Sequence, residues 1–242
     1  DGWVVFVPFA LPGEKILAKV WRNEANCSHA DLVEILEPSP DRIEPRCPHF
    51  ATCGGCQYQH LPYEKQLGWK TKQVQELLSH MVGIEAKVNP TVPSPKQWGY
   101  RSKITPHFQR PKPGEDFPIG FLEFNRRTRL VDVYNCPIAM DEINEALQPI
   151  RDDVKSRAAE YKKGATLLLR ATEDRVETDH RAPVSEKVGN LKFHFLAGDF
   201  FQNNPFILDS FTKHAAEQAE GPNQKYLLDA YCGSGLFGLS LA

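Results

Sequence analysis

Residues 227–238 read LLDAYCGSGLFG. Apolar residues run into Asp229, a turn follows with Gly233 and Gly235, and LFGLSLA then opens as a helix would. Strand, glycine turn and helix in succession is the pattern of an open α/β sheet. There, glycines let the backbone approach a ligand at the carboxyl end of a strand. The D-x-x-x-G-x-G spacing differs from the phosphate-cradling G-x-G-x-x-G, and no Lys-Ser/Thr pair follows as a P-loop requires. A tight turn with no ligand is the plain alternative. Cys232 has no base beside it in sequence, so it reads as a small packing residue rather than a nucleophile.

Working back from this turn, PFILDSFTKHAAEQAE is helical in pattern, while NLKFHFLA and GATLLLRATEDRVET read as strands. A helix is expected from roughly Met140 to Lys162. Short strand-like runs punctuated by Pro and Gly precede it: KVNPTV, YRSKITPHF, IGFLEF and RLVDVY. In YEKQLGWKTKQVQELLSHMVG, Val74, Leu77, Leu78, Met81 and Val82 form one stripe of an amphipathic helix closed by Gly83. EPSPDRIEPRCP is proline-rich and reads as a linker. Upstream, WVVFVPF, KILAKVWR and ADLVEILE predict three strands of a small β-barrel, the first two joined by the turn LPGE. The chain is thus predicted to be multidomain, part α+β and part α/β.

The 242 residues suit two or three domains, with ordinary globular composition at 41% hydrophobic and 25% charged. The longest apolar run, WVVFVPFAL, has nine residues and includes Pro8, far short of the roughly 20 that span a bilayer. Neither a membrane span nor a secretory leader is expected, which points to the cytoplasm. Residue 1 already sits in a strand-like stretch and the chain stops at SLA in a helix start, so it reads as a fragment. The net charge of −2 argues against a nucleic-acid binder, but it conceals a contrast: residues 96–129 hold eight Lys/Arg against three acids, a local +5. One face is expected to be basic.

CPHFATCGGCQ, residues 47–57, places Cys47, Cys53 and Cys56 within ten positions. In a reducing compartment such clusters hold metals more often than disulfides. Gly54 and Gly55 are expected to let the loop wrap around a zinc ion or an iron-sulfur cluster, either of which needs about four soft ligands. The fourth ligand is open between His49 or His60 nearby and Cys136 at a distance. The Cys-Pro dipeptide at both 47–48 and 136–137 tilts the choice slightly toward a cluster.

LLDAYCGSG is similar to the first motif of class I S-adenosylmethionine methyltransferases. With both ends read, the chain resembles the RNA uracil-5 methyltransferase family nearly end to end. VFVPFALPGEKILAKV looks like a TRAM domain, an OB-like RNA-binding barrel. The run from residue 39, with PRCPHFATCGGCQYQHL, is close to the family's cluster signature, and GYRSKITPHF, CPIA, DFFQNN and LLDAYCGSG follow in the family's order. The resemblance implies a TRAM-like barrel (1–40), an iron-sulfur loop (41–62), a central α/β RNA-binding region (63–190) and an incomplete methyltransferase domain of Rossmann type (191–242). It implies a [4Fe-4S] cluster on Cys47, Cys53, Cys56 and Cys136, leaving the histidines as bystanders. The family's F-x-Q-x-N maps onto Phe200, Gln202 and Asn204, with Phe200 against the target uracil and Gln202 toward the cofactor. A flipped base wants a π-face and an amide that both donates and accepts. One of Phe200 and Phe201 is expected in the core. Asp229, Tyr231, Gly233 and Gly235 fall at cofactor positions, whereas Leu236 departs from members that carry asparagine there. Tyr100, Arg101 and Lys103, with His107 and Arg110, combine aromatic and cationic groups as an RNA-contacting edge does.

In this family a cysteine thiolate adds to carbon 6 of uracil, carbon 5 takes the methyl group from S-adenosylmethionine, and a base removes the carbon 5 proton before the cysteine leaves carbon 6. The resemblance places that cysteine and base downstream of the cofactor motif, so these 242 residues are expected to be inactive alone. Structured RNA, tRNA or rRNA, is the expected partner and a monomer is favoured. Two rivals remain: a radical S-adenosylmethionine methylthiotransferase, against which the five-residue gap from Cys47 to Cys53 counts, and a non-catalytic RNA-binding module with a structural zinc.

Overall fold

The computed structural model describes residues 2–112, 114–221 and 226–242. The chain divides into two units, Asp1–Pro93 and Ser94–Ala242. No helix among the described residues is long and apolar enough to cross a membrane.

In the first unit, β1 (Val4–Phe6), β2 (Lys15–Asn23) and β3 (Cys27–Glu37) form the three expected strands. They pair in the order β1-β3-β2, with β1 parallel and β2 antiparallel to β3. Three register irregularities, the first between Lys15 and Ile16, bend the β2–β3 ladder. LPGE does turn the chain: Gly13 adopts φ 82° and Glu14 N donates to the Leu11 carbonyl at 3.2 Å.

The Glu14 side chain is wholly covered. Its carboxylate accepts from Arg42 Nη2 at 2.8 Å and from the backbone of Leu11 and Ser39. The Arg42 hydrogen bond, joined by these backbone donors, holds its pKa at about 2. The proline-rich stretch predicted as a linker is therefore pinned, although beyond Glu37, the last residue of β3, it forms neither helix nor strand. Ile43 N also donates to the His60 carbonyl at 3.0 Å.

His60 is 2% exposed, its ring 5.0 Å from Phe50 and 6.4 Å from Phe9, and neither ring nitrogen has a hydrogen-bond partner among the described residues. Burial, aided by the Arg42 charge, lowers its pKa to about 4. Because the folded pKa lies below the unfolded value, the unfolded chain takes up this proton first. Stability is full above about pH 6.5 and is lost as pH falls toward about 4. In metal-free chain the melting temperature of this unit is expected to decline over that window, and His60→Leu to flatten the decline. An unchanged slope in the variant would show that His60 is not the group responsible.

The expected amphipathic helix is α1 (Tyr63–Leu77), followed by a π-helical turn over Leu78–Val82 and stopped by Gly83 at φ 70°. Its apolar stripe is not a core: Val74, Leu77, Met81 and Val82 all stay exposed. Polar residues do the packing instead. Gln75 Oε1 accepts from Val88 N at 2.9 Å, its amide donates to the Ala86 carbonyl, and Thr71 Oγ1 accepts from Thr91 N at 2.9 Å. KVNPTV is accordingly an irregular segment laid along the helix and not a strand, and Pro90 could not have donated to a ladder.

The second unit begins with β4 (Lys103–Ile104), β5 (His107–Phe108), β6 (Gly120–Leu122) and β7 (Leu130–Asp132). Next come α2 (Asp141–Ser156), β8 (Ala165–Thr166), β9 (Leu169–Ala171) and β10 (Val176–Glu177). The strands form a sheet β7-β6-β5-β8 and a second, β10-β9-β4. Pro106 divides the predicted YRSKITPHF strand into two short pieces in different sheets. Gly120 is required where β6 meets β7, since a Cβ there would lie 2.0 Å from the Val131 carbonyl oxygen.

Ile104, Ile143, Leu147, Leu169 and Ala171 form the core between α2 and the second sheet. Arg151 of α2 is fully buried. It donates to the carbonyls of Ile119 and Val133, pairs with Asp132 at 2.7 Å and lies 4.0 Å over the Tyr134 ring.

A hairpin of β11 (Pro183–Val188) and β12 (Leu191–Leu196) turns through Gly189, at φ 58°, and Asn190. Of its two strands the sequence pattern predicts only the second. A 3₁₀ turn over Pro205–Ile207, α3 (Leu208–Ala219) and α4 (Leu236–Ser240) complete the unit. The second core, Val188, Phe193, Phe201, Leu208 and Leu236, joins the hairpin to these helices.

The strand expected before the glycine turn is not formed. Lys225, which begins it, lies outside the described residues; residues 226–229 pair with no strand, and Tyr226 and Leu228 are 95% and 89% exposed. A parallel strand needs a neighbour to receive its backbone hydrogen bonds, and no described strand pairs with this stretch.

Candidate cysteine centre and cofactor turn

Residues 47–53 are wound by successive turns, Phe50 N to Cys47 O, Thr52 N to His49 O and Cys53 N to His49 O, at 2.8–3.1 Å. The positive φ this requires falls on Ala51, at 66°, while Gly54 and Gly55 stay outside that region. Gly55 matters by approach: a Cβ there would sit 3.5 Å from Cys53 Sγ. Gln59, almost fully buried, closes the loop by accepting from Cys47 N at 3.0 Å, and Gln66 of α1 donates to the carbonyls of Tyr58 and Leu61.

All three cysteines are half-buried. Burial pushes the Cys53 thiol above its ordinary range, and Cys56 and Cys47 add like charge against its thiolate. Thiolates that repel one another in a shielded loop are a donor set that a cationic centre relieves, so the residues present fit a soft metal or cluster. Of the candidate histidines, His60 is sealed between Phe9 and Phe50.

Cys136 opens a turn at the N-terminal side of α2. Its N–H donates to Asn144 Oδ1 at 2.8 Å, and its carbonyl accepts from Asn144 Nδ2 and from Ala139 N. The following carbonyls of Pro137 and Ile138 accept from Gly99 and Arg101. Tyr100 and Arg101 are therefore fixed to the CPIA turn.

The DFFQNN run separates its two aromatics. Phe201 is 2% exposed and stacks on Phe195, centroids 4.6 Å apart and 11° between planes, whereas Phe200 is 68% exposed. The Phe200 carbonyl accepts from Ser234 Oγ at 2.8 Å, which joins this loop to the glycine turn. In that turn Gly233 and Gly235 adopt φ 51° and 80°, Gly235 N donates to Cys232 O, and Asp229 accepts from Gly238 N at 3.0 Å. Tyr231 is 97% exposed beside them, and among the described residues, its chain neighbours aside, nothing lies within 4 Å of where a Gly233 Cβ would be. Asn204 caps the following 3₁₀ turn by accepting from Phe206 N, and its amide reaches Ser94 Oγ at 2.9 Å. Phe200, Gln202, Asp229, Tyr231, Gly233 and Gly235 thus belong to one connected pair of loops.

Of the expected RNA-contacting edge, Arg101 Nε donates to the Lys103 carbonyl at 2.9 Å. Lys103 Nζ reaches the Asp199 carbonyl at 2.9 Å, and His107 shares a hydrogen bond with Thr166.

Sequence reading missed a group in the β2–β3 hairpin: ligating atoms of Glu24, Cys27 and His29 lie within 4.8 Å of one another. The Cys-x-His alternation along β3 was the available signal. Arg22 already pairs with Glu24 at 3.0 Å, which places a guanidinium where a cation would go.

No family profile matches the chain. Individual relatives do. A tRNA (uracil(54)-C(5))-methyltransferase of Schizosaccharomyces pombe is 46% identical over 99% of this chain and 49% of its own length. The protein of that description in Saccharomyces cerevisiae is 31% identical over 98% of this chain and 48% of its own length. A 23S rRNA (uracil(1939)-C(5))-methyltransferase of Pectobacterium atrosepticum is 29% identical over all of this chain and 62% of its own length. The chain thus spans about half the length of the first two. The Pyrococcus abyssi tRNA (uracil-54, C5)-methyltransferase, solved with S-adenosyl-L-homocysteine, superposes with a TM-score of 0.71 at 23% identity. That match covers 98% of this chain and 66% of the other, a likeness of fold.

Proposed function

The chain belongs, along 99% of its length, to the RNA uracil-5 methyltransferase family, and from that premise we propose that the protein methylates carbon 5 of a uracil in structured RNA, using S-adenosylmethionine. The observation that carries this reading is the 2.8 Å hydrogen bond from Ser234 to the Phe200 carbonyl. It couples a glycine turn suited to a cofactor with an exposed aromatic suited to a base. Gly233 and Gly235 bring the backbone close to the methyl donor, Asp229 braces the start of α4, and Tyr231 and Gln202 contact the cofactor. Phe200 stacks on the target uracil. Tyr100, Arg101 and Lys103 line the approach of the RNA.

The first three strands are read as a TRAM domain, residues 41–62 as an iron-sulfur loop, and residues 191–242 as the opening of a Rossmann-type domain. Cys47, Cys53, Cys56 and Cys136 would hold a [4Fe-4S] cluster, with a structural role or a part in RNA recognition, since the methyl transfer needs no redox step. The rival readings as a methylthiotransferase or a zinc module find no support among the relatives. We favour uridine 54 of tRNA as the target, because the relatives at 46% and 31% identity carry that name. A cytoplasmic monomer is the working assignment.

Full-length protein incubated with S-adenosylmethionine and a tRNA transcript should produce 5-methyluridine, detected by nucleoside mass spectrometry, and a U54C transcript should not. Product on 23S rRNA alone would move the substrate; product on neither would sink the proposal.

The cofactor turn makes its own prediction. At Gly235 the φ of 80° disfavours any side chain, and a Cβ would sit 3.0 Å from Leu239 Cδ1. Gly235→Ala is expected to weaken S-adenosyl-L-homocysteine binding about tenfold or more by calorimetry, the strain alone being about 1–2 kcal/mol. Unchanged affinity would remove this turn from the cofactor site.

A further inference from the structure

Arg170 of β9 is 2% exposed, yet its hydrogen bonds go to backbone carbonyls: Nε to Ala197 and Nη2 to Asp199, both at 2.7 Å. Its guanidinium lies 5.0 Å over the Phe195 ring, the ring on which Phe201 stacks. Glu186 and Asp199 supply countercharge at longer range. Lys103, paired directly with Arg170 across the β4–β9 ladder, sends its Nζ to the same Asp199 carbonyl at 2.9 Å. Beyond Phe200, Ser102 N and Oγ both donate to the Asn203 carbonyl, at 2.8 and 3.3 Å.

Burying a guanidinium carries a desolvation cost, and a leucine or methionine would fill this place without it. What an apolar residue could not do is hold two carbonyls of one turn. The carbonyls of residues 197, 199, 200 and 203 are each held by a side chain or backbone donor. The Phe200 side chain is left projecting into solvent between them.

We propose that Arg170, with Lys103 beside it, is a positioning residue for Phe200. The two cations fix the Asp199–Phe200 peptide so that the exposed ring meets the flipped base at one angle. Lys103 thereby serves the loop as well as the RNA edge. This rests on Phe200 being the base-stacking residue.

The test is a double-mutant cycle in the full-length protein, reading steady-state methylation of tRNA. Arg170→Met is expected to lower kcat by about 10- to 100-fold, the scale of a misplacement of about 1 Å, with KM for tRNA within about twofold. Arg170→Lys should recover part of this by donating to one of the two carbonyls. In a Phe200→Ala background Arg170→Met should add less than about twofold. Should Arg170→Met fail to fold, Lys103→Met removes one donor from the same carbonyl and should give a smaller kcat loss with the same dependence on Phe200. A full additional loss in the Phe200→Ala background overturns the clamp while leaving the functional reading intact. A parental rate for Phe200→Ala overturns the reading of Phe200, and the clamp falls with it.

Discussion

Anaerobically purified protein is expected to carry about four irons and four labile sulfides per chain, and Cys53→Ser or Cys136→Ala to carry fewer than about one. The size of the effect follows from the donor set. Ionisation of the Cys53 thiol is opposed by burial and by Cys56 and Cys47, an opposition that a cationic centre relieves. Removing Cys53 leaves too few thiolates for a cluster of this kind. Cys27→Ser and Cys232→Ser are the controls, because Cys27 sits in the β2–β3 hairpin and Cys232 is exposed in the glycine turn. Both should keep the parental iron and its absorption spectrum. One zinc per chain retained in Cys136→Ala would return the fourth position to a histidine. His49 would be the stronger choice, since using His60 means opening its packing against Phe9 and Phe50.

What was legible in the sequence was whatever a local rule dictates. The alternation in KILAKVWR and ADLVEILE gave β2 and β3, and the LPGE turn was found where Gly13 takes a positive φ. Gly83 was legible as the stop of α1, and one of Phe200 and Phe201 as core. Other features depend on partners that no local window reveals. The stripe on α1 has helical periodicity, but Gln75 and Thr71 do the packing there, and a hydrogen bond to a distant carbonyl leaves no periodic mark. KYLLDA has strand composition and yet needs a neighbouring strand before it can become one. Arg170 reads as a stray charge inside LLLRA, and only the Ala197 and Asp199 carbonyls, about thirty residues away, explain it. Pro183–Val188 was missed because its Ser, Glu and Lys dilute the apolar pattern. The Val-Gly-Asn-Leu that follows was the hairpin signal to use.

Adjacent substitutions in the DFFQNN loop should fail in opposite ways. Phe201→Ala removes a ring that is 2% exposed, stacked on Phe195 and packed with Leu208 and Leu236. Its expected cost is about 3–5 kcal/mol of stability, the range for a buried phenylalanine. The unit comprising residues 94–242 should melt at visibly lower temperature in that variant. Phe200→Ala removes a ring that is 68% exposed, so its melting curve should stay within about 0.5 kcal/mol of the parent. Its loss should appear in function: stacking of one base on an aromatic is worth about 1–3 kcal/mol, which is roughly 5- to 150-fold in methylation rate. Total RNA affinity is the wrong readout, because phosphate contacts dominate it and are unchanged. Phe200→Leu separates the terms further, keeping apolar bulk while removing the π-face, and should recover little activity. If Phe200→Ala instead lowered the melting temperature as Phe201→Ala does, both rings would be core. The loop would then offer no aromatic platform to a base.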